Sequence, residues 1–262
     1  MVSRRASDRT FFGVLALLFA ASTAATILQS ASMPSTGGMP MRGGMMSMTW
    51  MRMPGQTWPG AATSFLGMWI VMMAAMMLPS LAPMLSRYRQ AVDGLGEPRL
   101  GLLTALAGAA YFLVWAIIGI AVFPAGAVLM SAAMALPALA GAAPLVAGLV
   151  VLAAGLVQFT PWKARRLACC RAMPGREHAL PPNAGAAWRY GLRLGLHCAA
   201  CCANLTAVLL VLGVMDLSVM VLVTAAITAE RLGPPDIRIA RSIGAVLVLA
   251  GLLFAARAAG LG

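Results

Sequence analysis

Long apolar runs alternate along the chain with short segments that carry nearly all of its charged residues. Apolar runs of about 20 residues match the thickness of a bilayer and favour membrane-spanning helices. The intervening segments contain the Pro, Gly and charged residues that commonly end helices. We predict seven helices, which cover approximately residues 11–28, 61–86, 100–129, 144–159, 192–214, 217–229 and 243–259.

Composition indicates the same class of protein. Of the 262 residues, 61% are hydrophobic and only 10% are charged, and the mean hydropathy is +0.88. Soluble globular domains carry roughly 25% charged residues, so most of this chain is expected to contact lipid or other apolar helices. The predicted fold is all-α, a polytopic membrane helix bundle of about seven transmembrane helices in a lipid bilayer.

Basic residues are distributed unevenly between alternate loops. With the N-terminus in the cytoplasm, all but three of the 19 basic residues lie on the cytoplasmic side, and Arg42, Arg52 and Arg257 lie outside. The positive-inside rule favours this orientation. Topology therefore explains the net charge of +12, and nucleic-acid binding is not predicted. We expect a multi-pass protein of the bacterial cytoplasmic (inner) membrane.

The first 60 residues differ in composition from the remainder. Residues 11–28 follow three arginines and form either a retained first helix, which we favour, or a cleaved signal peptide. Residues 29–60 are predicted to be an external loop, whose thioethers either capture copper or act as apolar filler on the bilayer surface. We therefore divide the chain into residues 1–60 and a six-helix membrane domain, residues 61–262. The methionines of the loop are Met33, Met39, Met41, Met45, Met46, Met48, Met51 and Met53.

The segment with the strongest chemical signal runs from His197 to Cys202 inside the fifth predicted helix. It holds three of the five cysteines and one of the two histidines. Residues three and four apart lie side by side on a helix, so His197, Cys198, Cys201 and Cys202 can together bind a soft cation such as Cu(I). Buried cysteine also packs as a small apolar residue. Because Gly or Ala would serve for packing, we favour metal binding.

Methionines form two neighbouring ridges on the second predicted helix. Counted at about 1.5 Å per residue from the cytoplasmic ends of the two helices, Met76 and Met77 lie about as deep in the bilayer as Cys198–Cys202. If the two helices are in contact, a mixed thioether–thiolate site suited to Cu(I) results; otherwise these faces are an apolar packing surface. The candidate metal ligands are Cys198, Cys201, Cys202, His197, Met72, Met73, Met76 and Met77.

The most basic segment lies between the fourth and fifth predicted helices and is predicted to be a loop. It contains Cys169 and Cys170, which we expect to be free thiols because adjacent cysteines rarely bond to each other without strain. They are a candidate secondary metal site in the reducing cytoplasm. Lys163 is predicted to anchor the end of the fourth helix, and Glu230 and Arg231 are placed in another charged loop.

Six short motifs follow one another between about residues 61 and 245. They are Met68-Trp69-x-x-Met72-x-x-x-Met76-Met77-x-Pro79, Ala110-Tyr111-x-x-x-Trp115, Gln158-x-Thr160-Pro161-x-Lys163, Cys170-Arg171-x-x-Pro174, Cys198-x-x-Cys201-Cys202 and Gly213-x-Met215. In residue type, order and spacing they resemble a bacterial family of integral membrane proteins of unknown function that are predicted to bind metal. The chain departs from the family pattern at Arg166, where Cys is expected, and at Ala203, where Trp is expected. The resemblance implies metal binding at the motif positions Met72, Met76, Met77, Cys198, Cys201 and Cys202.

Three functions fit these patterns. The first, which we favour, is a copper(I)-binding membrane protein that transfers or transports copper, with a copper donor or acceptor protein or membrane complex as partner. The second is a structural or assembly subunit of a membrane complex, in which Met and Cys serve as packing. The third, a metal-dependent membrane enzyme, is disfavoured because copper oxygenases rely on imidazole ligands and the chain has only two histidines. No catalytic residue is predicted.

Overall fold

The computed structural model describes residues 2–32, 38–41, 44–47, 50, 55–92, 96–172, 181–233 and 237–260; for residues 2–8, 32, 38–41, 44–47 and 97 it describes the backbone alone. His178, Met33, Met48, Met51 and Met53 lie outside the described residues. The elements in chain order are α1 (Val2–Ser32), β1 (Gly38–Met41), β2 (Gly44–Ser47), α2 (Trp58–Ala91), α3 (Glu97–Ala135), α4 (Pro137–Val157), α5 (Pro161–Ala172), α6 (Ala184–Leu212), α7 (Leu217–Leu232) and α8 (Arg238–Ala258).

The predicted helical membrane fold is confirmed, and the number of spans is close to the prediction. Within the described residues, six helices are long and apolar enough to cross a bilayer: α1, α2, α3, α4, α6 and α8. The sixth predicted helix is present as α7, but its 16 residues are fewer than the roughly 20 that a bilayer requires. Strands β1 and β2 pair as a short antiparallel hairpin in the methionine-rich segment.

Three of the predicted loops are wrong, and in each case the helix extends into the polar or proline-containing sequence. Residues 131–143 are helical except for Leu136, because Pro137 occupies the first turn of α4, where proline is tolerated. The basic segment after α4 folds as α5, whose Lys and Arg residues are good helix formers. Helix α7 continues through Glu230 and Arg231 to Leu232.

Helices α2 and α6 form the centre of the bundle. In the most apolar part of each, 56% of α2 and 50% of α6 are buried, against 28% or less in the other four candidate spans. Both begin with a side-chain cap: Thr57 Oγ1 accepts the N–H of Gly60, and Asn183 Oδ1 accepts the N–H of Ala186. Because each cap defines the residue at which its helix begins, the caps help to set which residues of α2 and α6 face each other.

Glycines allow α6 to approach α3 closely. A Cβ atom at Gly195 would lie 2.8 Å from Val114 Cγ2 and 3.0 Å from the carbonyl oxygen of Tyr111, and one at Gly191 would overlap the carbonyl group of Ala107. Close packing of small residues is a main source of helix association in membranes. The two helices run parallel, which places the cysteine segment of α6 beside Tyr111.

We predict that Gly191→Ala destabilises the bundle, because the added methyl group overlaps the backbone of α3 and overpacking costs about 1–3 kcal/mol. Gly108→Ala, on α3, is the matched control, since a Cβ atom there meets nothing within 4 Å. Thermal unfolding of the purified protein should show a lower Tm for Gly191→Ala and an unchanged or higher Tm for Gly108→Ala. Equal Tm values for the two variants would contradict this account of the α3–α6 contact.

Candidate metal centre

The methionines of α2 face the interior of the bundle. Met72, Met73 and Met77 have no exposed surface, and Met76 is 2% exposed. All four belong to one hydrophobic core, which also contains Cys198, Cys201 and Cys202. The structure therefore places the predicted thioethers and thiols in the same dry interior. The further methionines Met68 and Met84 are also buried.

Cys198 on α6 makes a sulfur–sulfur contact with α2. Its Sγ atom lies 3.9 Å from the Sδ atom of Met77 on α2 and 3.9 Å from the Sγ atom of Cys202, one turn along α6. The predicted contact between the methionine ridge and the cysteine segment is thus present, and it is made by Met77. Met72, Met73 and Met76 line the surrounding core.

Two polar side chains from other helices complete the surroundings of Cys198. The hydroxyl of Tyr111 on α3 is 3.0 Å from Cys198 Sγ. Arg231, at the end of α7, donates from Nη1 to Cys198 Sγ at 3.1 Å and to Ser80 Oγ at 2.8 Å. Four helices, α2, α3, α6 and α7, therefore converge on one sulfur atom.

Arg231 brings a positive charge into this interior. The side chain is 3% exposed, and its Nε and Nη2 groups have no hydrogen-bond partner in the part of the chain that the structure describes. Its acidic neighbour in sequence, Glu230, instead forms an ion pair with Lys163. A buried cation without a counterion is costly, so this arrangement favours negative charge on the sulfur atoms beside it.

A second polar cluster lies next to the sulfur atoms and joins α4, α5, α6 and α7. Lys163 Nζ is 2.7 Å from Glu230 Oε2 and donates to the carbonyl oxygen of Cys201 at 2.7 Å. Lys163 also donates to Asn204 Oδ1, and Gln158 Nε2 donates to Glu230 Oε1 at 2.6 Å. The prediction that Lys163 lies in a loop is wrong, because it is a fully buried ion-pair partner on α5.

Helix α5 adds a fourth buried thiol. Its inward face consists of Lys163, Leu167 and Cys170. A hydrogen bond with Cys201, and then burial, raise the pKa of the Cys170 thiol well above its usual range. We call the four buried thiols of Cys170, Cys201, Cys202 and Cys198, together with the thioether of Met77, the sulfur row; all five side chains belong to one hydrophobic core.

His197 and Cys169 are separated from the sulfur row. His197 is half-buried, and its Nδ1 atom lies 3.8 Å from the Sγ atom of Cys169, which is exposed on α5. The sequence grouped His197 with the three cysteines of α6 and grouped Cys169 with Cys170. The structure instead pairs one member of each group across the α5–α6 contact.

The donor atoms in the centre suit a soft monovalent cation. Within the described residues, no three or more His, Cys, Asp or Glu side chains are grouped as a metal site requires. A cation with metal–sulfur bonds of about 2.3 Å can bridge sulfur atoms 3.9 Å apart, the spacing of Cys198 with Cys202 and with Met77. Soft thiolate and thioether ligands are among those that bind Cu(I).

Sequence reasoning missed the charged and phenolic members of this centre. The sequence places Arg231 in a loop because it lies among the charged residues that begin at Glu230 and end at Arg241. A signal for Lys163 was present, since Lys163, Leu167 and Cys170 have the i, i+4, i+7 spacing of one helix face. Tyr111 belongs to one of the recognised motifs and, counted from Arg99, lies about as deep in the bilayer as the cysteines of α6, but equal depth does not by itself indicate contact with Cys198.

Comparison with known proteins assigns the chain to a family. Neither the curated proteins nor the solved structures contain a match. A family model described as PpoB2, copper chaperone, matches residues 66–254. The match covers α2 from residue 66 onward, the cysteine segment of α6 and Arg231, and it agrees with the resemblance that the motifs indicated. The chain belongs to the PpoB2 family of copper chaperones.

Proposed function

We propose that this protein is a copper chaperone of the bacterial cytoplasmic membrane, which holds Cu(I) in the sulfur row and passes it to a partner protein. The observation that carries the proposal is the set of contacts at Cys198, with two further sulfur atoms at 3.9 Å and a buried guanidinium at 3.1 Å. The family supports a role in copper handling. The choice of metal oxidation state and of ligands rests on the chemistry of these contacts.

Charge balance favours Cu(I) held by two thiolates. A monovalent cation bound by the thiolates of Cys198 and Cys202 carries a net charge of −1, and Arg231 neutralises it. The same complex without a buried cation would leave an unpaired charge in an apolar interior, which is strongly unfavourable. Metal binding releases the thiol protons, so the centre is neutral when the metal is bound.

Met77 supplies an uncharged ligand in addition to the two thiolates. A thioether is a neutral, soft donor, so it adds a bond to Cu(I) without adding charge to be balanced. Cys201 and Cys170 extend the sulfur row towards α5, and ligand exchange along neighbouring sulfur atoms lets the cation move without losing all of its ligands at once. Such exchange is the property that a chaperone needs in order to release its metal.

The alternative, a structural or assembly subunit of a membrane complex, is favoured by the complete burial of Met72 and Met73, since Met fills irregular apolar cores well. Packing alone does not account for Arg231, whose burial beside Cys198 lowers stability unless an anion compensates it. The two functions differ in a measurable way. A copper chaperone should lose copper when individual ligands are replaced, whereas a structural subunit in which Met and Cys only pack should not.

The double variant Cys198→Ser, Cys202→Ser is expected to lose the one tightly bound Cu(I) of the wild type, because hydroxyls are poor ligands for a soft cation. Metal analysis of the detergent-purified proteins, loaded with Cu(I) under anaerobic conditions, measures the stoichiometry. Size-exclusion chromatography checks that the double variant remains monodisperse. An unchanged copper content in the folded variant would show that these thiols are packing residues.

Met77→Leu is expected to raise the Kd for Cu(I) by about tenfold, or about 1.4 kcal/mol, since one soft donor is lost while side-chain volume is kept. Met68→Leu is the matched control, a buried methionine of the same helix that lies more than two turns from Met77. Competition with the Cu(I) chelator bicinchoninate measures both values. Equal effects of the two substitutions would remove Met77 from the ligand set.

Arg231→Gln is expected to weaken Cu(I) binding by about 10- to 100-fold, because charge-assisted hydrogen bonds contribute about 1.5–3 kcal/mol. Arg231→Lys keeps the charge and should recover part of the affinity. Thermal unfolding gives an independent measurement: the stabilisation that Cu(I) adds should shrink in Arg231→Gln, while the metal-free variant should be at least as stable as wild type. A large drop in metal-free Tm with unchanged affinity would assign Arg231 a structural role instead.

A further inference from the structure

We propose that Cys169 and His197 form a second, surface-accessible Cu(I) site, from which the metal leaves the protein. This inference rests on the proposed copper-handling function and assigns a task to two side chains that the sulfur row does not use. The observation that carries it is the pairing of a thiol on α5 with an imidazole on α6, with Cys169 Sγ 3.8 Å from His197 Nδ1.

The two faces of α5 separate the buried thiol from the exposed one. Cys170 lies on the inward face with Lys163 and Leu167. Cys169 follows Arg165 by four residues and Arg166 by three, so it shares their face, and all three side chains are exposed. Adjacent residues on one helix thus connect the sulfur row to the outer surface.

The charge around the pair indicates that this surface faces water. Arg193 is exposed on α6, one turn before His197, and Arg165 and Arg166 lie beside Cys169 on α5. Charged side chains are strongly disfavoured against hydrocarbon, so we place the three exposed arginines, and Cys169 beside two of them on α5, at the border of the bilayer. Cys169 is therefore accessible to a soluble partner or reagent.

The spacing of the pair suits a two-coordinate cation. Typical metal–thiolate and metal–imidazole bonds are about 2.3 Å and about 2.0 Å, so one cation can bond both atoms across a separation of 3.8 Å. Cu(I) accepts a thiolate and an imidazole as ligands. With few ligands and an exposed position, such a site favours onward transfer of the metal over storage.

Transfer between the two sites is a ligand exchange with no change in oxidation state. The bonds from Cu(I) to the buried thiolates break as bonds form to Cys169 Sγ and to His197. The proton that Cys169 releases is taken up, directly or through water, by a thiolate that the metal has left. Cys170 and Cys198 belong to the sulfur row and are the sequence neighbours of Cys169 and His197. On each helix the metal therefore moves between two adjacent residues.

The test uses the full-length protein in lipid nanodiscs and a water-soluble maleimide, with labelled residues identified by mass spectrometry. In the metal-free protein we expect Cys169 to be modified first, because the other four cysteines are buried. Cu(I) supplied from a bicinchoninate buffer beyond the first equivalent should slow this labelling at least tenfold. Failure of Cys169 to react in the metal-free protein, or reaction unaffected by Cu(I), overturns the proposal.

The variant His197→Gln distinguishes two explanations for protection of Cys169 from the maleimide: a Cu(I) ion bound by both side chains, and shielding of the thiol without His197 as a ligand. This variant should keep the first equivalent of Cu(I) and the labelling of Cys169, but lose protection by the second equivalent. Arg193→Gln, on the same face of α6, is the control and should keep protection. Protection that survives in His197→Gln excludes the pair as the ligand set.

The double variant Cys198→Ser, Cys202→Ser tests the buried site in the sulfur row and the surface site at Cys169 and His197 independently of each other. Loss of the tight equivalent with continued Cu(I) protection of Cys169 supports the surface site independently of the sulfur row. Full copper content in the double variant, together with protection that depends on His197, refutes the buried site and leaves the surface site standing. Loss of protection in His197→Gln alone, with the tight equivalent kept, is the outcome expected if both sites exist.

Discussion

The contact between Arg231 and Cys198 sets the electrostatic constraint on the whole centre. A guanidinium enclosed by α2, α6 and α7 has to be compensated by negative charge, and the carboxylate of its sequence neighbour Glu230 is already paired with Lys163. The atoms left to carry that charge are sulfur atoms. A packing surface of Met and Cys has no need of such a cation, whereas a bis-thiolate complex of a monovalent metal requires one to reach neutrality.

The Lys163–Glu230 pair plays a different part. It is neutral as a unit, and its remaining hydrogen bonds reach Gln158, Asn204 and the carbonyl group of Cys201. These contacts join the ends of α4 and α7 to the middle of α6 and hold α5 against the bundle. Helix α5 then has one face towards the sulfur row and another towards solvent. The ion pair thus positions the helix that connects buried thiols to the surface, while Arg231 places a positive charge beside the sulfur atoms of the proposed metal centre.

Sulfur contacts alone would not fix this geometry, because thiols and thioethers make weak, adaptable contacts. The precision comes from the helix backbones. Gly191 and Gly195 let α6 lie directly against α3, which brings the Tyr111 hydroxyl to Cys198, and the side-chain caps at Thr57 and Asn183 define where α2 and α6 begin. The family match over residues 66–254 and the helix packing are independent observations. Both direct attention to the cysteine segment of α6 and the helices around it.

The sequence by itself determined the helical membrane fold, the position of most helices, and the two segments whose sulfur atoms meet, because apolar run length and helical periodicity are local properties. Only the tertiary structure decided the partners of each side chain. Neighbouring residues on a helix point about 100° apart, so His197 separates from Cys198, and Cys169 from Cys170, according to which helix packs on each side. The burial of Arg231 and Lys163 was likewise decided by tertiary contacts, because a charge is tolerated inside only when residues distant in sequence supply its partners.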